Sequence, residues 1–209
     1  RWVEENQNLK SIFQKLNPPK SSARFFLQWG KSDGEGRLQF VEWFKELIAK
    51  HNSKHIAIFD PYFEDVGLGL LTLYASSNAE YSIFRSLPKL SDPNTPKRRK
   101  TDNVIKIGVD NLIANCEQNR KILQKKKIKI YGLKDGYLHD RYILVMNDNG
   151  LPIEGYHLSN SFQKATENYP LLITPIPTDV LYKTNQYTFD FIKRLNNSSD
   201  LDDDSSPIT

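Results

Sequence analysis

A single cysteine, Cys116, is all the thiol chemistry in this chain of 209 residues. One cysteine cannot close an internal disulfide or build a cysteine-rich zinc site, so a reducing, cytoplasmic setting is expected. Its neighbours Leu112, Ile113, Ala114 and Asn115 suggest a thiol in a helical core. No stretch approaches the run of about 18 apolar residues that a membrane-spanning helix needs, and no secretory leader is visible. Apolar residues make up only 38% of the chain and charged ones 26%. That suits a domain in contact with water, with a few unstructured stretches and one substantial core. The only methionine, Met146, lies deep in the chain, and the first residue is Arg1. We therefore expect a domain of a longer protein, with other domains as partners.

Charge is present in excess of one sign. The net value is +4, but Asp200, Asp202, Asp203 and Asp204 crowd one end, so the rest of the chain sets 29 bases against 21 acids. Basic clusters stand at Lys97-Arg98-Arg99-Lys100 and Lys125-Lys126-Lys127. They are either solvated helix-end and loop charges or a surface for a polyanion, nucleic acid or an anionic membrane.

Periodicity predicts alternating helices and strands. Residues 2–16 read as a helix stopped by Asn17-Pro18-Pro19, and 23–29 as a strand. Phe40, Val41, Phe44, Leu47 and Ile48 recur at helical spacing over 37–51. His55 to Pro61 is a near-continuous apolar run, as in a strand covered on both faces. A helix follows over 65–76, a strand over 81–87, and an exposed loop over 88–101. A helix over 109–124 leads into strands at 128–133, 138–146, 151–158 and 171–176, and a last helix spans 178–195. The chain from Asn196 onward is polar and acidic, and disorder is expected there. Three units result: a helical lead-in over 1–21, one domain over 22–197, and an acidic disordered tail over 198–209. The fold class is α/β, a mixed, largely parallel sheet flanked by helices on both faces, antiparallel where the last strands follow one another without helices.

His139-Asp140-Arg141 opens the apolar run Tyr142 to Met146, and Ser159-Asn160-Ser161 lies downstream. Residues i and i+2 of a strand share a face, so the imidazole and guanidinium project together, with Asp140 opposite. Histidine offers a nucleophile or proton carrier, and arginine a fork of donors suited to phosphate oxygens. Asp60 stands at the end of its strand, where sites collect in such sheets. His157 precedes the serines, but no carboxylate lies at helpful spacing, so no metal and no cofactor is expected.

The segment from His139 to Phe162 resembles the signature of the phospholipase D superfamily: a histidine, a basic residue two positions on, a strand, a turn, then small polar residues. Ile56 to Phe63, an apolar strand ending in Asp-Pro-Tyr-Phe, is similar to the opening of divergent members. The resemblance covers roughly 22–195. Arg141 stands at the usual lysine, Met146 at the usual acid, and Gly155 and Ser159 are not adjacent. Active members bring two histidine motifs together, and one is visible here, so the resemblance implies a homodimer or a partner domain. It implies catalytic roles for His139, Arg141, Ser159, Asn160 and Ser161, and substrate contacts from Asp60, Tyr62 and Lys164. Two expectations stay open. One is a metal-independent phosphodiesterase, a nuclease working through a phosphohistidine, as found in bacterial antiviral defence proteins. The other is a module without turnover that binds nucleic acid or acidic phospholipid headgroups.

Overall fold

Alternation of apolar residues fixes which way each strand faces, and the computed structural model describes residues 24–26, 35–86, 114, 117–133, 138–162 and 171–197. In chain order the elements are β1 (Arg24–Phe26), α1 (Glu35–Lys50), β2 (His55–Phe59), α2 (Asp65–Tyr74) and β3 (Glu80–Ser86). Then come α3 (117–125), β4 (Ile128–Leu133), β5 (Tyr142–Met146), β6 (Pro152–Leu158), β7 (Leu171–Pro175) and α4 (Thr178–Asn197). The strands form one seven-stranded sheet in the order β1-β7-β6-β5-β2-β3-β4. β2, β3 and β4 pair in parallel, and the other four pairings are antiparallel. Traced through these pairings, five of the seven strands (β1, β2, β3, β4, β6) run the same way. The sheet is thus mixed, as expected, with its parallel part where helices separate the strands.

Two cores lie on opposite faces. Ile56, Ile58, Tyr81, Ile83, Ile143 and Val145 turn to one face, against Phe40, Phe44, Leu47 and Ile48 of α1, Leu68 and Leu71 of α2, and Leu123 of α3. Ala57, Phe59, Phe84, Leu144 and Met146 turn to the other, against Leu181 and Phe189 of α4. Helices therefore cover both faces. Phe59, Phe84 and Tyr131 stack across three strands, with centroids 4.7 and 5.0 Å apart, and the edge of Phe189 meets Phe59.

The β5–β6 turn is built by local chemistry. Asn147 Oδ1 accepts from the amides of Asn149 and Leu151 at 3.0 and 2.9 Å, and Gly150 takes φ +71°. That is an Asx-type turn ending on the left-handed residue that glycine adopts most easily.

Several boundaries differ from the sequence reading, among them α2, which ends at Tyr74 rather than at 76, and β2, which ends at Phe59 rather than Pro61. Residues 138–141 are irregular rather than part of β5, although the Arg141 carbonyl still accepts from the Leu158 amide at 3.0 Å. Asn196 and Asn197 continue α4 instead of beginning a disordered tail. α1 starts two residues earlier than predicted, at Glu35. The lead-in helix, the loop 88–101, Cys116, and the tail 198–209 lie outside the described residues. Among those described, no helix is long and apolar enough to cross a membrane.

Candidate functional site

β2, β3 and β6 end, and β5 begins, along one edge of the sheet, and the candidate residues meet there. Asp60 follows β2 and is 1% exposed. A carboxylate in so dry a place needs donors. Three reach it: Ser161 Oγ donates to Oδ2 at 2.7 Å, the Phe162 amide to Oδ2 at 2.8 Å, and the Tyr62 amide to Oδ1 at 3.0 Å. Asp60 thus ties the end of β2 to the segment after β6, 101 residues away. Burial pushes its carboxyl above the ordinary carboxylate range, against the opposing pull of Ser161, Phe162, Tyr62 and Arg141.

Register supplies the cations. Phe59 pairs with Tyr142, so the next positions, Asp60 and Arg141, come face to face across β2 and β5. Arg141 Nε stands 3.9 Å from Asp60 Oδ1. That is an ion pair but too long for a hydrogen bond, and among the described residues Nε has no hydrogen-bond partner. The guanidinium carbon lies 5.6 Å from the centroid of Tyr62. On the other side Phe59 pairs with Phe84, which brings Arg85 of β3 level with Asp60. Arg85 is 2% exposed, donates through Nε to the Ser86 carbonyl at 3.2 Å, and faces Glu64 Oε1 at 3.9 Å. Burial raises the Glu64 carboxyl, Arg85 works against the shift, and Asp65 and Asp60 add to it.

Not every residue of the signature joins this cluster. His139 is exposed on the irregular segment, two residues before Arg141. Asp140 acts on the opposite face, as strand alternation implies. There burial and Asp140, with a contribution from Tyr187, push the Tyr142 phenol up to about 12. Ser159 is exposed and has a structural role: its amide donates to the Leu172 carbonyl at 2.9 Å, and its Oγ accepts from the Leu172 amide at 2.8 Å. Both bonds extend the β6–β7 ladder. Asn160 is half-buried in the bend between, and only Ser161 turns in to Asp60. Tyr62 stands on the rim, 54% exposed. Lys164 lies outside the described residues.

Arg85 and Glu64 are residues the sequence reading missed. The signal was there: Tyr81 and Ile83 are the inward positions of β3, so Arg85 occupies a third inward position where an apolar residue belongs. Among the described residues no group of three histidine, cysteine or acidic side chains comes together as a metal site would.

No family model and no curated protein matches the chain. Solved structures resemble it in fold. Yeast tyrosyl-DNA phosphodiesterase is 20% identical with a TM-score of 0.39 over 75% of this chain and 32% of its own. Polyphosphate kinase from Porphyromonas gingivalis is 14% identical with a TM-score of 0.45, over 91% of this chain and 26% of its own. Phosphatidylserine synthase from Haemophilus influenzae Rd KW20 is 16% identical with a TM-score of 0.46, over 83% and 38%. All three are phospholipase D-like proteins, and this chain spans between a quarter and two fifths of their lengths. Likeness this loose carries no residue role and no substrate from them to this chain.

Proposed function

We propose that the chain is half of a phosphoryl-transfer centre, a metal-independent phosphodiesterase that cleaves nucleic acid and is completed by a second copy. The observation behind this reading is the Asp60–Arg141 pair. A buried carboxylate holds a guanidinium by charge at 3.9 Å without occupying its Nε in a hydrogen bond. A phosphate would then be gripped by a positioned fork rather than a mobile one.

In this reading a His139 ring nitrogen attacks phosphorus, the P–N bond forming as the P–O ester bond breaks. The leaving oxygen takes a proton from the protonated His139 of the second copy. Water then attacks phosphorus and breaks the P–N bond, giving its proton to that second histidine. Arg141 offsets charge on the non-bridging oxygens as the transition state forms. Asp60 and Ser161 position Arg141 and the Pro61–Tyr62 turn without touching the reacting atoms. The excess of 29 bases over 21 acids outside the acidic end supports a polyanion.

The test is cleavage of labelled DNA and RNA in EDTA by wild type, His139→Ala and Arg141→Ala, with the oligomeric state measured by sedimentation. Cleavage by a dimer that falls at least about a hundredfold in His139→Ala is expected. Cleavage unchanged in His139→Ala would refute the mechanism. A second reading, a binding module without turnover, is favoured by one observation. The position seven residues after His139 is Met146, buried in an apolar core where the signature carries an acid. Retention of nucleic acid without cleavage, lost in Arg141→Ala, would establish that module.

A further inference from the structure

Phosphate chemistry gives the rim tyrosine of the site no task. Tyr62 exposes 54% of its surface at the tip of the turn after β2, although a large aromatic ring gains by being covered. Its backbone is nonetheless held on every side. The amide donates to Asp60 Oδ1 at 3.0 Å, and the carbonyl lies 3.2 Å from Ser161 Oγ, the longer arm of a hydroxyl shared with Asp60 Oδ2. The preceding carbonyl, that of Pro61, accepts from the Ser86 amide at 3.1 Å, and the following residue, Phe63, is fully buried. The side chains that anchor the site therefore also fix the backbone that carries this ring on the rim. Arg141 lies 5.6 Å from the ring centroid, within cation–π reach. One open ring on a fixed backbone stands beside the guanidinium assigned to phosphate.

Resting on the phosphodiesterase reading above, we infer that Tyr62 is a stacking platform for the base next to the bound phosphodiester, which makes single-stranded nucleic acid the substrate class. Every base has a π-face, so stacking on a fixed ring is strong and tolerant of sequence. In a duplex those faces are already stacked, and extruding a base costs free energy. A rim tyrosine beside the phosphate site thus favours single strands. A phospholipid headgroup places no flat ring next to its phosphate and gains nothing from Tyr62.

The test is binding by the 209-residue chain, measured by fluorescence anisotropy on three probes. These are a labelled single-stranded oligonucleotide, its duplex, and an abasic strand of the same length and charge. Sedimentation with phosphatidylserine vesicles gives the lipid arm. Wild type is expected to hold the base-bearing single strand at least about tenfold more tightly than the duplex or the abasic strand. Tyr62→Leu should erase that margin and leave abasic binding in place, while Tyr62→Phe should keep the margin. Arg141→Ala should weaken abasic and base-bearing strands alike, which tests the phosphate grip separately. Equal wild-type affinity for abasic and base-bearing strands, or an equal loss on both in Tyr62→Leu, overturns the platform and leaves the nuclease reading standing. Binding to vesicles alone, or to no probe, overturns both.

Discussion

Replacing Asp60 with asparagine keeps the shape of the anchor and changes only its acceptors. Oδ2 receives two donors and Oδ1 one. The better amide orientation leaves oxygen at Oδ2 and turns NH2 towards the Tyr62 amide, so one bond is lost and a buried donor faces another donor. The cost of leaving such a group unpaired is about 1–3 kcal/mol, or about 2–4 °C in Tm per kcal/mol for a chain of this size. Urea unfolding followed by tryptophan fluorescence measures it. A second, sharper quantity comes from pH. Burial raises the Asp60 carboxyl, so the native state keeps this proton to higher pH than the unfolded chain. From about pH 4 upward, through the raised value, the native state binds more protons, and stability falls as pH rises. Asparagine cannot titrate, so the margin of wild type over Asp60→Asn should narrow across that window. A margin that widened would mean that Ser161, Phe162, Tyr62 and Arg141 outweigh burial. A variant within about 0.5 kcal/mol of wild type at every pH would refute the anchor itself.

Two glycines of α2 should respond oppositely to alanine. A Cβ at Gly67 would meet the Phe63 ring at 2.4 Å, whereas Gly69 has nothing within 4 Å. Gly67→Ala should cost about 1–3 kcal/mol by overpacking and Gly69→Ala should stabilise by about 0.5–1 kcal/mol, and urea midpoints that moved the same way would contradict this. Gly155→Ala sets a Cβ 2.5 Å from Leu181 and 3.0 Å from Leu144, jamming β6 under α4; a lower midpoint is expected, and no loss would mean that α4 slides freely. Glu154 accepts from Lys50 at 2.6 Å, from His51 at 2.8 Å and from Tyr156. Burial raises its carboxyl, but those hydrogen bonds outweigh burial and leave it lowered. Its contribution is therefore present above the ordinary carboxylate range and lost as pH falls through the lowered value. Glu154→Gln should melt below wild type near neutral pH and converge with it in acid, and a gap independent of pH would remove the carboxylate from the account.

The sheet was legible because its strands carry strong patterns. His55 to Pro61 reads as a doubly buried strand, and His55–Phe59 of it is β2, inside the sheet between β5 and β3. The stripe of Phe40, Phe44, Leu47 and Ile48 reads as a helix face and is one. Pairing was less legible, since alternation says which face a residue takes but not which strand lies beside it. Asp60, at its strand end, was expected beside His139, and the β2–β5 register is what sets it opposite Arg141. Ser159 and Ser161 show the same gap. The two are of one type and two positions apart, yet one serves a ladder and the other a buried carboxylate, because the chain bends between them. Lys127 takes φ 51° at the α3–β4 turn, where glycine would be the expected signal, and nothing in its side chain announces it.

The balance of charge at the site bears on why its histidine stands apart. Asp60 and Glu64 on one side and Arg85 and Arg141 on the other make two acids and two bases along the same edge. At 3.9 Å the attraction between Arg141 and Asp60 is about 1 kcal/mol with the screening of water and about 4 kcal/mol with that of a protein interior. That is enough to hold the guanidinium in place. It is too little to keep Arg141 from a phosphate, which adds two parallel charge-assisted hydrogen bonds that Asp60, at this distance, does not make. A bound phosphodiester therefore brings one negative charge into an otherwise neutral cluster, and the compensating positive charge has to come from outside it. Only a group not already paired in the cluster can supply that charge. Exposed His139 stands two residues from Arg141 and outside these pairings, and a second copy of the chain would bring another.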